Sequence, residues 1–269
     1  MNIIQAIILG LLQGATEFIP VSSSGHLVLV PWLVGWDSPG LVFDTVVHWG
    51  TLVAVLAYFW RDWLKLISAW LRGLVRWDWS DPLARMLWLL IVGSIPAAVI
   101  GFLLEDFFES LFGKPAWVAV FMLVTAGLLA LGEFLGARTR KMADVGWLDA
   151  LVIGLAQASA IAPGISRSGA TIATGLFRGL ERDVAARFSF LLATPIIFGA
   201  GLFKLMDLGA MADPVAQIPA LMAGFLAAAA AGYICIWVLL RYLQRGSLYP
   251  FAIYCACAGV FFLFVAWLR

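Results

Sequence analysis

Six long apolar runs constrain this chain more than any other feature of its sequence. Each is close to the ~20 residues that a helix needs to cross the hydrocarbon core of a bilayer. They lie at 43–60, 84–104, 115–137, 187–206, 217–240 and 248–268. Hydrophobic residues make up 63% of the chain and charged residues only 12%, so a soluble domain of this composition would leave a large apolar surface in water. The sequence therefore predicts an all-α polytopic membrane protein.

Two further apolar stretches, at 2–36 and 148–180, are interrupted midway. The interruptions read IPVSSSGH at 19–26 and APGISRSGAT at 162–171. Such breaks free backbone N–H and C=O groups, which membrane depth tolerates only inside protein or beside a polar cavity. We interpret both stretches as re-entrant helical hairpins, with two ordinary kinked spans as the alternative.

The hydrophilic segments predict the orientation of the chain. Lysine and arginine concentrate at 61–85, 138–141 and 241–246, whereas 105–114 and 207–216 are rich in acid, the latter through Asp207 and Asp213. Because basic loops stay in the cytoplasm, both termini are expected outside. The segment 61–76 alternates apolar and basic residues at helical spacing and predicts an interfacial helix. The net charge of +1 offers no basic field for nucleic acid.

The chain contains an internal repeat. Shifted by 144 residues, 7–26 aligns with 151–170 without a gap, and six of the 20 aligned positions are identical. These pairs are Gly10/Gly154, Leu11/Leu155, Gln13/Gln157, Ser22/Ser166, Ser24/Ser168 and Gly25/Gly169. Each half holds one hairpin and three spans. Because three crossings bring the chain to the opposite side of the membrane, the second half must have the inverted orientation. We predict a single membrane domain, 1–269, with repeats at about 1–137 and 148–269.

The two halves differ in the side chains that carry chemistry. The differing pairs are Glu17/Ile161, Ser23/Arg167 and His26/Ala170. In inverted repeats the site lies where the broken helices meet at mid-membrane. An ionisable residue there is costly and usually functional, although a structural ion pair between Glu17 and Arg167 is the alternative. Gln13 lies four residues before Glu17 and shares its helix face.

The hydroxyls around the two breaks predict a phosphate cradle. The hydroxyl residues at each break lie at the start of a half-helix, where free N–H groups and the helix dipole favour an anion. The planar guanidinium of Arg167 suits phosphate oxygens. The hydroxyl residues are Ser22, Ser23, Ser24, Ser166, Ser168 and Thr171. Plain helix caps are the alternative, but they leave the embedded arginine unexplained.

Two histidines and one charged turn receive simpler interpretations. His26 follows the serines directly and is either a general acid or a hydrogen-bonded structural group. His48 lies four residues after Asp44 and is interpreted as structural or interfacial. The charged stretch at 178–187 is interpreted as a solvated turn.

Two stretches of the sequence resemble the motifs of a known family. The stretch QGATEFIPVSSSGH at 13–26 resembles the (E/Q)xxxE motif and serine-rich segment of the undecaprenyl-diphosphate phosphatases, also called bacitracin-resistance proteins. The stretch PGISRSGAT at 163–171 resembles their PGxSRSxxT motif, and 43–60 and 188–195 are similar too. Gln13 stands where other members carry glutamate. The resemblance spans essentially the whole chain.

The resemblance implies a reaction and a setting. Members remove the terminal phosphate of undecaprenyl diphosphate, which returns the lipid carrier to cell-wall synthesis and confers bacitracin resistance. It implies a divalent cation, Mg²⁺ with Ca²⁺ as the alternative, and a site in the bacterial inner membrane that opens to the outer face. The implied partners are a long-chain prenyl diphosphate and bilayer lipids, and a homodimer stays open.

The resemblance also implies residue roles. Glu17 would act as base or metal ligand, and Ser23 and His26 as nucleophile and acid/base partner. Ser166, Arg167, Ser168 and Thr171 would bind phosphate. Whether Ser23 forms a phosphoserine or Glu17 activates a water stays open.

Two other classes of membrane protein share some of these features. A transporter or flippase of phosphorylated prenyl lipids would share the inverted repeat, but it needs no hydroxyl, base and acid together. A second class of membrane phosphatases has a PSGH motif, which SSGH at 23–26 resembles. That class fails, because Ala173 stands six residues after Arg167, where its nucleophilic histidine should be.

Overall fold

The computed structural model describes residues 1–204 and 214–269, and within them every regular element is a helix. The α-helices are α1 Ile3–Phe18, α2 Ser23–Val34, α3 Gly40–Tyr58, α4 Trp60–Arg76, α5 Pro82–Leu103, α6 Glu105–Phe112, α7 Pro115–Leu135, α8 Trp147–Ser159, α9 Arg167–Phe177, α10 Arg182–Lys204, α11 Pro214–Leu243 and α12 Tyr249–Leu268. The predicted all-α class is confirmed.

Six helices in the described part of the chain are long and apolar enough to cross a membrane. Their spans are Gly40–Tyr58, Pro82–Leu103, Pro115–Leu135, Arg182–Leu202, Gln217–Leu243 and Tyr249–Leu268. Each coincides with one predicted run, so the prediction of a multi-pass membrane protein is confirmed. Most of the acidic loop predicted at 207–216, with Asp207 and Asp213, lies outside the described residues, and α11 already begins at Pro214.

The two interrupted stretches form two pairs of short helices in contact, α1 with α2 and α8 with α9. These helices have 16, 12, 13 and 11 residues, each fewer than the ~20 that cross a bilayer. The breaks fall at the predicted segments because a proline there lacks an N–H and a serine caps the helix that follows. The lengths favour re-entrant hairpins over kinked spans.

Helices of each half pack on spans of the other half, so that equivalent helices exchange partners between the two halves. α1 packs on α11, and α8 packs on α5; likewise α3 packs on α11 and α10 on α5. Both hairpin contacts are made through glycine pairs, Gly10 with Gly224 and Gly154 with Gly93, where an added Cβ would collide with the facing carbonyl. This packing is compatible with the inverted repeat, which stays a prediction.

α4 is the amphipathic helix that the segment 61–76 predicts. Leu66, Ala69 and Gly73 are buried along one face, whereas Leu64 and Leu71 are exposed. An exposed apolar stripe on a helix beside spans suits the membrane interface. Its placement there stays a prediction.

Two buried carboxylates, Glu133 at the end of α7 and Asp149 at the start of α8, tie the ends of these helices to their neighbours. Arg140 donates to both oxygens of Asp149 at 3.1 and 2.7 Å, and Arg178 donates at 2.6 Å. Glu133 accepts hydrogen bonds from Arg182. The interpretation of 178–187 as a solvated turn is wrong for Arg178 and Arg182, because each pairs with a buried carboxylate.

Asp149 lies at the mouth of the second hairpin, outside the six spans. Burial raises the pKa of its carboxyl, but hydrogen bonds from Arg140, Gly146 and Arg178 outweigh burial and lower the pKa to about 2. The carboxylate is therefore charged at every physiological pH, and its ion pairs hold the start of α8 beside the end of α9.

Candidate active site

The tips of the two hairpins meet around the carboxylate of Glu17. Glu17 ends the buried face of α1 and is 6% exposed. Its side chain accepts hydrogen bonds from Ser23 on α2 and Arg167 on α9, and from Gln13 Nε2 at 3.0 Å. One carboxylate thus gathers a hydroxyl, a guanidinium and an amide from three helices.

The start of α2 positions Ser23. Ser22 caps the helix, and its Oγ accepts a hydrogen bond from the backbone N–H of Gly25 at 3.2 Å. Ser22 has a φ of 72°, a left-handed conformation that few residues other than glycine adopt. The hydroxyl of Ser24 lies 3.4 Å from that of Ser22. Because the chain turns sharply here, the first helical residue, Ser23, points back at Glu17.

The start of α9 positions Arg167 in a similar way. Ser166 caps the helix by accepting from the Gly169 N–H at 3.0 Å, and the Ser168 hydroxyl lies 3.2 Å from that of Ser166. Arg167 crosses to Glu17 through one Nη, whereas its Nη1 is buried without a hydrogen-bond partner among the described residues. This free donor group suits a phosphate oxygen.

Thr171 is engaged inside the protein. Its hydroxyl donates to the carbonyl of Arg167 at 2.8 Å and lies 2.6 Å from that of Ser189. These contacts join the first turn of α9 to α10. A direct phosphate contact from Thr171 stays a prediction.

His26 is close to Ser23 in sequence, but the two side chains are not joined. The His26 Nδ1 bonds the carbonyl of Ser22, and Nε2 bonds the hydroxyl of Tyr254, both at 2.7 Å. Ser23 donates to Glu17 instead. In this arrangement the group that can accept the Ser23 proton is Glu17, because both ring nitrogens of His26 are occupied.

His48 lies beside Glu17 at the tip of the first hairpin, although its sequence position predicts a structural or interfacial residue. Its Nε2 is 3.7 Å from the Glu17 carboxylate, and its Nδ1 donates to the backbone carbonyl of Asp44 at 2.6 Å. The spacing of Asp44 and His48 indicates that they share a helix face, but it does not predict that α3 packs beside α1. Tyr254 and Thr125, which contact the two tips, were missed for the same reason.

The polar atoms around Glu17 also bear on a divalent cation. Among the described residues, no group of three or more histidine, cysteine or acidic side chains is placed to hold a metal ion. Gln13 Oε1, however, is buried and without a partner among the described residues, next to Glu17. Mg²⁺ is usually held by one or two carboxylates together with substrate phosphates. Glu17 and Gln13 Oε1 fit a cation that is shared with a phosphorylated ligand.

Fold and site together define a class. A membrane protein that places a guanidinium and several hydroxyls at the starts of two half-helices offers a candidate anion site, because both helix N-termini favour negative charge. The chain belongs to the family of the bacitracin resistance protein BacA, whose model matches residues 6–261. This confirms the family that the two motifs indicate.

Three curated relatives illustrate the family. The chain is 46% identical to the undecaprenyl-diphosphatase of Desulforudis audaxviator over 269 residues, which cover 100% of both chains. It is 44% identical to that of Thermomicrobium roseum, with 98% of both chains covered, and 45% identical to that of Moorella thermoacetica, with 100% of both covered. The similarity therefore extends over all the elements that build the site.

Proposed function

We propose that this chain is an undecaprenyl-diphosphatase, an integral membrane hydrolase that converts undecaprenyl diphosphate and water into undecaprenyl phosphate and phosphate. The contact of the Ser23 hydroxyl and the Arg167 guanidinium with one buried carboxylate, Glu17, carries the proposal. Phosphoryl transfer needs a positioned nucleophile and donors that neutralise the equatorial oxygens, and this site contains both.

The second hairpin and the serines bind the diphosphate. The buried Nη1 of Arg167 has no partner among the described residues, the starts of α2 and α9 supply backbone N–H groups, and Ser24, Ser166 and Ser168 add hydroxyls. Such donors are strongest at a water-poor site, where they stabilise charge that develops in the transition state. The prenyl chain stays in the bilayer, so the site opens sideways to lipid.

Ser23 is the nucleophile of the proposed reaction. As its Oγ attacks the terminal phosphorus, its proton passes to Glu17, and the bond to the bridging oxygen breaks to release undecaprenyl phosphate. Glu17 passes this proton to the released undecaprenyl phosphate and is again a carboxylate. It then takes a proton from a water that attacks the phosphoserine phosphorus, and returns it to Ser23 Oγ as the Oγ–P bond breaks, which releases phosphate and restores the free serine. A divalent cation held by Glu17 and Gln13 Oε1 would supply further neutralisation of the phosphate oxygens.

Phosphate release by the purified protein in detergent tests the activity, and Ser23→Ala tests the nucleophile. A covalent route predicts that Ser23→Ala loses nearly all turnover, because no other hydroxyl of the described residues donates to Glu17. A water route, with Glu17 as base and Ser23 as ligand, leaves tens of per cent of the rate and weaker substrate binding. Recovery of labelled phosphoserine after rapid acid quench would identify the covalent route directly.

The exchange of equivalent helices between the two halves supports a second candidate, the movement of phosphorylated prenyl lipids between leaflets. A Glu17→Gln variant that cannot hydrolyse separates the two. If it still transfers a fluorescent prenyl phosphate across vesicles faster than protein-free vesicles do, the fold also moves lipid.

The charge distribution supports an orientation with both termini outside. Family membership supports a location in the bacterial inner membrane with the site open to the outer face. Cysteine labelling tests the orientation after the native cysteines, Cys235, Cys255 and Cys257, are replaced. A cysteine at position 2 should react with an impermeant reagent added outside. Labelling only from the cytoplasm would overturn this orientation.

A further inference from the structure

Helix α12 contacts the tip of the first hairpin at two neighbouring residues that the proposed reaction does not use. The Tyr254 hydroxyl lies 2.7 Å from His26 Nε2, and the two rings stack with centroids 5.7 Å apart and planes inclined by 10°. The Cys255 thiol donates to the carbonyl of Pro20 at 3.7 Å. The tip is thus held from a helix more than two hundred residues away in sequence.

The direction of the hydrogen bonds follows from the acceptor at one end. A backbone carbonyl only accepts, so the bond to Ser22 requires the proton on His26 Nδ1. A neutral imidazole then has a lone pair on Nε2, and Tyr254 must donate to it. The Tyr254 hydroxyl therefore donates to His26 Nε2, and His26 Nδ1 donates to the Ser22 carbonyl.

This chain of bonds holds the strained residue next to the nucleophile. Ser22 is buried and has a φ of 72°, which persists only when the surroundings hold it in place. Its carbonyl accepts from His26 twice, from the backbone N–H at 3.2 Å and from Nδ1 at 2.7 Å. The backbone of Ser22 sets the direction of Ser23, whose hydroxyl reaches Glu17.

We propose that Tyr254 is a positioning residue for the hydrolysis. It orients His26, which holds the Ser22 backbone and so aims the Ser23 hydroxyl at Glu17; this inference rests on the proposed roles of Ser23 and Glu17. The second tip is braced comparably from α7, where Thr125 donates to the carbonyl of Gly164 at 3.1 Å and accepts from the Ser166 N–H at 2.9 Å. α7 and α12 pack on each other, so one helix pair holds both tips.

Tyr254→Phe tests the proposal, because it removes the hydroxyl and keeps the ring. We expect kcat for phosphate release to fall about tenfold while KM stays within about twofold, since misaiming a nucleophile lowers the rate of the chemical step. Tyr249→Phe is the matched control: it lies on the same helix with similar exposure, 42% against 47%, and should keep the activity of the parent protein.

A double-mutant cycle tests whether Tyr254 acts through His26. If it does, the double variant of Tyr254→Phe and His26→Ala is no slower than His26→Ala alone. Once His26 is replaced, the Tyr254 hydroxyl has no imidazole to orient, so its removal costs no further activity. Losses that multiply, a parent kcat in Tyr254→Phe, or a raised KM with unchanged kcat would each overturn the proposal.

A spectroscopic readout keeps the proposal testable apart from activity. The chain has two histidines, so ¹⁵N ring labelling gives two sets of signals, and His48→Asn assigns them. We expect His26 to be protonated at Nδ1, and its Nε2 signal to shift in Tyr254→Phe but not in Tyr249→Phe. A proton on Nε2 of the parent protein would overturn the proposal. Should Ser23→Ala stay active while the Nε2 signal still shifts, the proposed role of Ser23 as nucleophile would fail, and the hydrogen bond from Tyr254 to His26 would stand.

Discussion

The two hairpins share a backbone plan but divide the chemistry between them. Both open their second helix with a serine cap, yet Ser22 has a φ of 72° and its counterpart Ser166 has −72°. The strained turn belongs to the hairpin with the carboxylate and the proposed nucleophile, whereas the relaxed turn presents the guanidinium. Strain therefore lies where a single hydroxyl must be aimed, and a relaxed cap suffices where a long flexible side chain binds an anion.

The mouths of the hairpins differ as well. In the second hairpin, Arg178 at the end of α9 pairs with Asp149 at the start of α8. In the first, the carbonyls of Trp32 and Leu33 near the end of α2 accept from Arg269 at 2.7 and 3.0 Å, and no ion pair among the described residues joins α1 to α2. The second hairpin is thus anchored by charge at its mouth, and the first mainly by packing and by the contacts at its tip.

Glu17→Gln should abolish the catalytic contribution of the first hairpin and have the largest effect on phosphate release. The amide cannot accept the Ser23 proton, so we expect phosphate release to fall at least about a thousandfold under either the covalent or the water route. The matched control is Glu181→Gln, a glutamate in the turn between α9 and α10. A Glu17→Gln rate within tenfold of the parent protein would remove the carboxylate from the chemistry.

Arg167→Lys tests whether the second hairpin contributes geometry or only charge. Lysine keeps the positive charge but loses the planar fork that can contact Glu17 and a phosphate oxygen together. We expect kcat/KM to fall about tenfold to a thousandfold in the phosphate-release assay. A lysine variant within twofold of the parent would reduce Arg167 to a counter-ion for Glu17.

The comparison also shows what the sequence could and could not predict. The six spans and the family are confirmed, and the breaks fall where Pro20 and Pro163 interrupt apolar runs, because these features depend on local composition. The positions of His48 and Tyr254 depend on how α3 and α12 pack against the first hairpin, and no local pattern encodes that packing. The sequence likewise could not predict that Ser23 pairs with Glu17 and not with His26, because this pairing follows from the strained turn at Ser22.

Asp149→Asn should weaken the anchor of the second hairpin. The pKa of Asp149 is lowered from 3.8 to about 2, so its ion pairs stabilise the fold by about 2 kcal/mol above pH 4, and this contribution disappears as the pH falls from about 4 towards 2. Thermal unfolding in detergent should therefore separate the variant from the parent at pH 7, and by about half as much at pH 3. A difference that is the same at both pH values would contradict the charge-based anchor.

Arg269→Gln should have the smallest effect, because it removes an exposed cap from the first hairpin. The guanidinium lies 4.6 Å from the centre of the Trp32 ring as well as bonding the two carbonyls. A cation at a helix C-terminus and an exposed cation–π contact are each worth about 0.5–1 kcal/mol, and glutamine keeps part of the hydrogen bonding. We therefore expect a loss of about 0.5–1 kcal/mol in unfolding titrations at pH 7, below that of Asp149→Asn, with unchanged phosphate release. If Arg269→Gln proved the more destabilising of the two, the first hairpin would be the one that charge anchors, and the contrast between the two mouths would be reversed.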